Sequence, residues 1–169
     1  MNYHKIYHDN MLNGEGLRIV VFLSGCSHHC KNCHNPETWD PKSGQKFDEE
    51  AMYKIEKYLK EDYISGITFT GGDPLYKDNL QEVLKLCIYL KNRYPNKTIW
   101  IYSGYTFEDI SNGKNIIRHE ILNWIDVLVD GKFVEELKDR NYPYAGSTNQ
   151  RIIDVRQSLK YNKIVLYEV

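Results

Sequence analysis

Three of the four cysteines in this 169-residue chain, Cys26, Cys30 and Cys33, fall within eight residues at the spacing C-x3-C-x2-C. Three thiolates this close on one loop can converge on a single metal centre. Two metals fit. Zinc wants a fourth ligand to close a tetrahedron, and His28, His29 or His34 is near enough in sequence to supply it. A four-iron cluster normally takes four cysteines, so three leave one iron free of protein and open to a substrate. Structural zinc loops usually pair one C-x2-C hairpin with a second further along. No second pair exists, because Cys87 stands alone. The spacing therefore favours the cluster and leaves zinc open. A disulfide framework is disfavoured by the odd triplet and by the lack of an export signal.

The elements that must position this loop are strands. Leu17 to Leu23 reads as a buried strand that delivers the cysteines at its C-terminal end. Ile64 to Thr70 is a second β-rich run and ends in Gly71-Gly72-Asp73-Pro74. Two glycines there let backbone approach a ligand closely, and the carboxylate can accept from an ammonium group. Lys97 to Tyr102 is a third strand, followed by Ser103-Gly104-Tyr105. Ile125 to Val129 is a fourth and ends in Asp130-Gly131-Lys132-Phe133. Asn149 to Val155 and Lys163 to Val169 read as further strands, and residues 1 to 16 as a polar lead-in ending in a turn.

Helices alternate with the strands. Asp48 caps one whose face is Ala51, Met52, Ile55, Tyr58 and Leu59. Asp78 caps the next, which runs to about Tyr94 and carries Cys87 on its apolar face, as a core thiol. Thr106 and Asp109 have the spacing of a capping box, and Ile116 to Trp124 is a further helix. Strands separated by helices imply parallel pairing and right-handed crossovers. The expected fold is α/β: an open partial (βα) barrel, mostly parallel, with helices outside, in one domain over residues 1–169. Sites in such sheets gather at the C-terminal strand ends. The cysteine loop and the three other turns all fall there. Asp130 and Lys132 are then expected to face the ligand, with Lys132 a partner for a carboxylate.

Composition narrows the class. Net charge is −1, so nothing electrostatic favours nucleic acid as a partner. The N-terminus has no apolar h-region, and the longest apolar run is far too short for a bilayer, so a cytoplasmic protein without a membrane partner is expected. Thiols stay reduced there, which suits a labile cluster.

The C-x3-C-x2-C loop resembles the cluster signature of the radical S-adenosylmethionine (SAM) enzymes, and Gly71-Gly72-Asp73 resembles their Gly-Gly-Glu motif. Two departures stand out: Asn32 precedes the third cysteine where many members carry an aromatic residue, and Asp73 replaces the glutamate. Within that superfamily the chain resembles the activating components of anaerobic ribonucleoside-triphosphate reductases. The matching stretches run from Met1-Asn2-Tyr3-His4 through Cys33-His34-Asn35, Thr38-Trp39 and Val127 to Phe133 to Gly146-Ser147-x-Asn149-Gln150.

The resemblance implies a 4Fe-4S cluster on Cys26, Cys30 and Cys33. It implies SAM bound near Asn32, Cys33, His34, Gly71, Gly72, Asp73, Asp130 and Lys132. It further implies one-electron cleavage of SAM to a 5′-deoxyadenosyl radical, and a glycyl radical formed on the large subunit of the reductase. A flavodoxin-type electron donor is expected. Alternatives are a pyruvate formate-lyase activase-like or 7-carboxy-7-deazaguanine synthase-like enzyme, and a non-catalytic zinc-binding interaction module. Substituting Gly72 by valine is expected to impair SAM binding and leave iron near normal. Cys26→Ala is predicted to abolish iron binding in anaerobically reconstituted protein, whereas Cys87→Ala keeps full iron and loses only packing, about 1–3 kcal/mol; iron and sulfide per chain, with denaturant unfolding, check both.

Overall fold

The computed structural model describes all of residues 1–169. Seven strands form one sheet in the order β3-β1-β2-β4-β5-β6-β7. They are β1 (Asn2–Asn10), β2 (Arg18–Leu23), β3 (Gln45–Lys46), β4 (Gly66–Gly71), β5 (Thr98–Tyr102), β6 (Val127–Asp130) and β7 (Arg151–Asp154). The central four, β2, β4, β5 and β6, pair in parallel. β1 and β3 on one side and β7 on the other are antiparallel. The mixed α/β class and the parallel centre thus agree with the sequence reading.

Helices α1 (Glu49–Leu59), α2 (Leu80–Arg93), α3 (Phe107–Ser111), α4 (Ile116–Ile121) and α5 (Val155–Tyr161) complete the chain. All five contribute to a single cluster of buried residues, among them Ile55, Cys87, Ile110, Ile121 and Val155. Ile19, Val21 and Leu23 of β2 meet it, with Ile67 and Phe69 of β4 and Ile99 and Ile101 of β5. Alternate positions point the other way, since side chains alternate across a strand. On that second face Trp100, Val127, Val129 and Ile152 form a smaller cluster.

Arg18 lies fully buried beside Trp100, its guanidinium 5.4 Å from the ring. It donates to Thr68 Oγ1 and Thr98 Oγ1, each at 2.9 Å, and to the carbonyls of Ile67 and Thr98, each at 2.9 Å. No carboxylate bonds it; burial pulls its pKa down to about 10, so it stays charged at neutral pH. One side chain thus ties β2, β4 and β5 together at their N-terminal ends, opposite the cysteine loop.

Several sequence expectations are corrected. Residues 2–10 form a nine-residue strand, not a lead-in; only Tyr3 of them is buried, so the apolar signal was weak. The run from 149 ends as a strand at Asp154, whose side chain accepts from Gln157 N and caps α5. Residues 163–169 make a single bridge, Leu166 to Ile153, and no strand. Asp78 is not the cap of α2. Asn79 takes that place, and its side chain turns away to donate to Ser24 O at 2.8 Å. The helix begun at Ile116 tightens to a 3-10 turn over Leu122–Trp124. The Asp48 cap and the Thr106/Asp109 capping box are present. No helix is long and apolar enough to cross a membrane.

Arg18→Leu is predicted to destabilise the fold by roughly 2–4 kcal/mol, since it removes charge-assisted hydrogen bonds from three strands at once. Denaturant unfolding of the metal-free protein checks this; an unchanged midpoint contradicts it.

Candidate metal centre

β2 hands the chain to the cysteine loop through two residues. Ser24 is buried, and its hydroxyl donates to Ser43 O at 2.8 Å. Gly25 has φ +105°, which only glycine adopts without strain. The next turn, residues 36–39, then clasps the loop: Gly25 N–H donates to Thr38 O at 2.7 Å and Cys26 N–H to Trp39 O at 3.1 Å. His29 and Asn32 take left-handed conformations, φ +49° and +57°, as the loop reverses. The His29 ring stacks on Trp39, centroids 4.5 Å apart. Backbone N–H groups already point at two thiols: His28 N to Cys26 Sγ and Asn35 N to Cys33 Sγ, each 3.4 Å.

Cys26, Cys30 and Cys33 all line one cavity of about 560 Å³. That volume lies within the range of about 300–1,000 Å³ common to cofactor sites. All three are free and half-buried. Burial pushes the Cys26 and Cys30 thiols above the ordinary thiol value. For Cys30 the Phe133 N–H and the Lys132 ammonium pull the other way. Taking a metal here must therefore release protons. No three His, Cys, Asp or Glu side chains close on one point as a single-ion site requires. The thiols surround a space instead. Cys87 lies apart, wholly buried on α2, with its thiol pushed up to about 12.

The facing wall is the end of β4. Gly71 (φ +102°) and Gly72 turn the chain against the cysteine loop: Gly72 N–H donates to Leu23 O at 2.8 Å and Asp73 N–H to Gly25 O at 2.7 Å. A Cβ on Gly72 would stand 2.4 Å from Gly25 O and 2.9 Å from Thr38 O. This close approach speaks against the expectation that Gly72→Val leaves iron near normal. What a side chain there strikes is the base of that loop.

Asp73 is 1% exposed and accepts from four groups. They are His28 Nε2 at 2.7 Å, Ser103 Oγ at 2.9 Å, Gly104 N at 2.9 Å and Leu75 N at 2.8 Å. The structure brings Cys33, His34, Gly71, Gly72, Asp73 and Lys132 to the same cavity as the other two cysteines. Two expected residues are not brought there. Asn32 is exposed on the outside of the loop and does not line the cavity. Asp130 is buried and turned away, which corrects its expected place facing the ligand. It accepts from Phe107 N at 2.8 Å and from Arg151 at 2.6 Å. The cause is register: Arg151 stands opposite Asp130 across the β6–β7 pair, and a cross-strand ion pair forms.

Sequence reasoning missed other parts of the wall. Residues 140–146 close one side, with Tyr144 O accepting from the Tyr102 hydroxyl. Trp39 lines the cavity, and its buried indole N–H has no partner. The Gly-Ser-x-Asn-Gln segment shapes the rim. Gln150 Oε1 accepts from Gly146 N at 2.9 Å, while Asn149 Nδ2 holds Lys132 O at 2.8 Å and Gln150 Nε2 holds Gly131 O at 3.0 Å. An Asn or Gln after a Gly-Ser turn gives no such partner away in sequence.

Known proteins bear on this geometry directly. The model of a family described as 4Fe-4S single cluster domain matches residues 12–153. The anaerobic ribonucleoside-triphosphate reductase-activating protein of Enterobacteria phage T4 is 41% identical over 152 residues, 90% of this chain and 93% of the relative. The protein of that name from Vibrio cholerae is 41% identical over 154 residues, covering 90% and 97%. The one from Escherichia coli K12 is 39% identical over 158 residues, covering 92% of this chain and all of the relative. The match supports an iron–sulfur cluster in the domain that contains the cysteine loop. With identity at this level over nine-tenths of its length, the chain belongs to the family of anaerobic ribonucleoside-triphosphate reductase-activating proteins.

Proposed function

We propose that this chain activates an anaerobic ribonucleoside-triphosphate reductase by radical SAM chemistry, forming a glycyl radical on the reductase's large subunit. The observation that carries the reading is the single cavity shared by Cys26, Cys30 and Cys33 and by the glycine turn of the neighbouring parallel strand. The residues fit the group: three half-buried free thiols face a space large enough for a cluster and a ligand beside it. Three protein ligands leave one iron without one. When bound, the cluster supplies the single electron that cleaves SAM to methionine and a 5′-deoxyadenosyl radical, which takes a hydrogen atom from a glycine Cα of the reductase. A flavodoxin-type protein is the electron donor in this reading, and the cytoplasm its setting.

The chain's own residues bind, orient and shield. Cys26, Cys30 and Cys33 hold the cluster. The Gly71-Gly72 turn, free of side-chain bulk, receives the methionine end of SAM, with Asp73 behind it. Lys132, exposed on the opposite rim, pairs with its carboxylate. Cys33 and His34 border the ligand from the loop side. Trp39, Tyr102 and residues 140–146 wall the cavity against water. No side chain is needed as general acid or base, since a hydrogen atom and not a proton is transferred. The sheet serves as an open partial (βα) barrel in one domain over 1–169. Support comes from the four parallel strands whose C-terminal ends reach one cavity.

Reduced, cluster-loaded protein mixed anaerobically with SAM and the reductase is predicted to give a glycyl radical signal in the reductase by electron paramagnetic resonance. Absence of that signal, with SAM cleaved all the same, contradicts the assignment of the reductase as target. Gly72→Ala is predicted to lower iron per chain as well as SAM affinity, because its Cβ meets the carbonyls of Gly25 and Thr38. Normal iron with weakened SAM binding contradicts this.

A further inference from the structure

The most densely bonded polar group lining the cavity is Asp73, and its bonds go to the protein itself. A carboxylate offers about four lone-pair sites. Here four donors fill them: the His28 ring, the Ser103 hydroxyl and the backbone N–H groups of Gly104 and Leu75. Because a carboxylate only accepts, it is the Nε2–H of His28 that donates, across 45 positions of sequence. Three of these donors belong to the ends of β4 and β5. The fourth, His28, sits in the middle of the cysteine loop, between Cys26 and Cys30.

The His28 ring is fixed from its other sides too. Its side chain is 7% exposed. It meets Tyr105 edge-on, centroids 4.6 Å apart. The Arg118 guanidinium lies over the Tyr105 ring, 4.0 Å from its centroid, and also donates to Leu75 O at 2.9 Å. Gly104 makes room for the ring: a Cβ there would stand 2.5 Å from His28 Cδ2. Gly104 has no left-handed φ, so an alanine is excluded by the ring and not by the backbone.

We infer that His28 and Asp73 form a clamp that holds the cysteine loop in its cluster-binding shape, with His28 the positioning residue and Asp73 its anchor. This rests on the reading that Cys26, Cys30 and Cys33 hold the cluster. Between Cys26 and Cys30, His28 makes the short, buried side-chain hydrogen bond to the turn after β4, at 2.7 Å, whereas Ser27 Oγ meets only the Tyr105 hydroxyl, at 3.5 Å and exposed.

The test is the rate at which anaerobically reconstituted protein, without SAM, loses iron to a chelator. His28→Ala and Gly104→Ala are expected to lose iron about tenfold faster or more than the parent, the size of effect that outer partners of metal ligands have. His28→Gln, which can still donate to Asp73, is expected to restore most of the retention. His28→Ala combined with Asp73→Asn is expected to be no faster than the worse single variant, because both break one contact. Parent-like iron release in both His28→Ala and Gly104→Ala overturns the clamp. So does an Asp73→Asn variant that weakens SAM binding alone, which would make Asp73 the ammonium acceptor. Cys26→Ala run alongside tests the underlying reading separately: if it keeps full iron, the cluster lies elsewhere and the clamp falls with it.

Discussion

Two backbones meet without side chains between them, and the rest of the site depends on it. Gly25 O accepts from Asp73 N at 2.7 Å, and Gly72 faces Gly25 so closely that a Cβ would be 2.4 Å away. That approach joins the end of β2 to the end of β4, which register as Leu23 against Gly71. The cysteine loop starts where β2 ends. The base of the loop is therefore tied to the sheet through main-chain hydrogen bonds. A loop of this length closed only by its metal would pay its ordering entropy at binding; here part of that ordering is already supplied by the fold.

Each further strand end adds one element. β5 contributes Ser103 and Gly104, which bind Asp73. β6 contributes Lys132, whose turn is held by Asn149 and Gln150. Arg18 works at the other end of the sheet, joining β2, β4 and β5 where they begin. The spacing of the strands is thus fixed at both ends, by a buried cation at one and by glycine and aspartate contacts at the other. Parallel strands need this, because they share no hairpin to set their register.

The sequence made part of this legible. The cysteine spacing and the apolar runs before each polar turn were enough to place four strand ends on one side of a sheet. Local capping was readable at Asp48 and Thr106, where the donor is three residues away. Tertiary partners were not readable. Asp73 looked like a free acceptor in sequence, and Asp130 looked like a second one. Their donors, His28 and Arg151, lie 45 and 21 positions away. Residues 2–10 gave no strand signal because the strand is largely polar and only Tyr3 of its nine residues is buried. α5 was missed for a similar reason, with only Val155 and Ser158 buried among its seven residues.

In the proposed function, three cysteines leave one iron of the cluster open to a ligand. Electron paramagnetic resonance of the reduced, anaerobically reconstituted protein, recorded with and without SAM, tests it most directly. The expected result is a reduced 4Fe-4S signal whose g-values shift when SAM is added, because the ligand reaches the cluster itself. A cluster signal that saturating SAM leaves unchanged would contradict it.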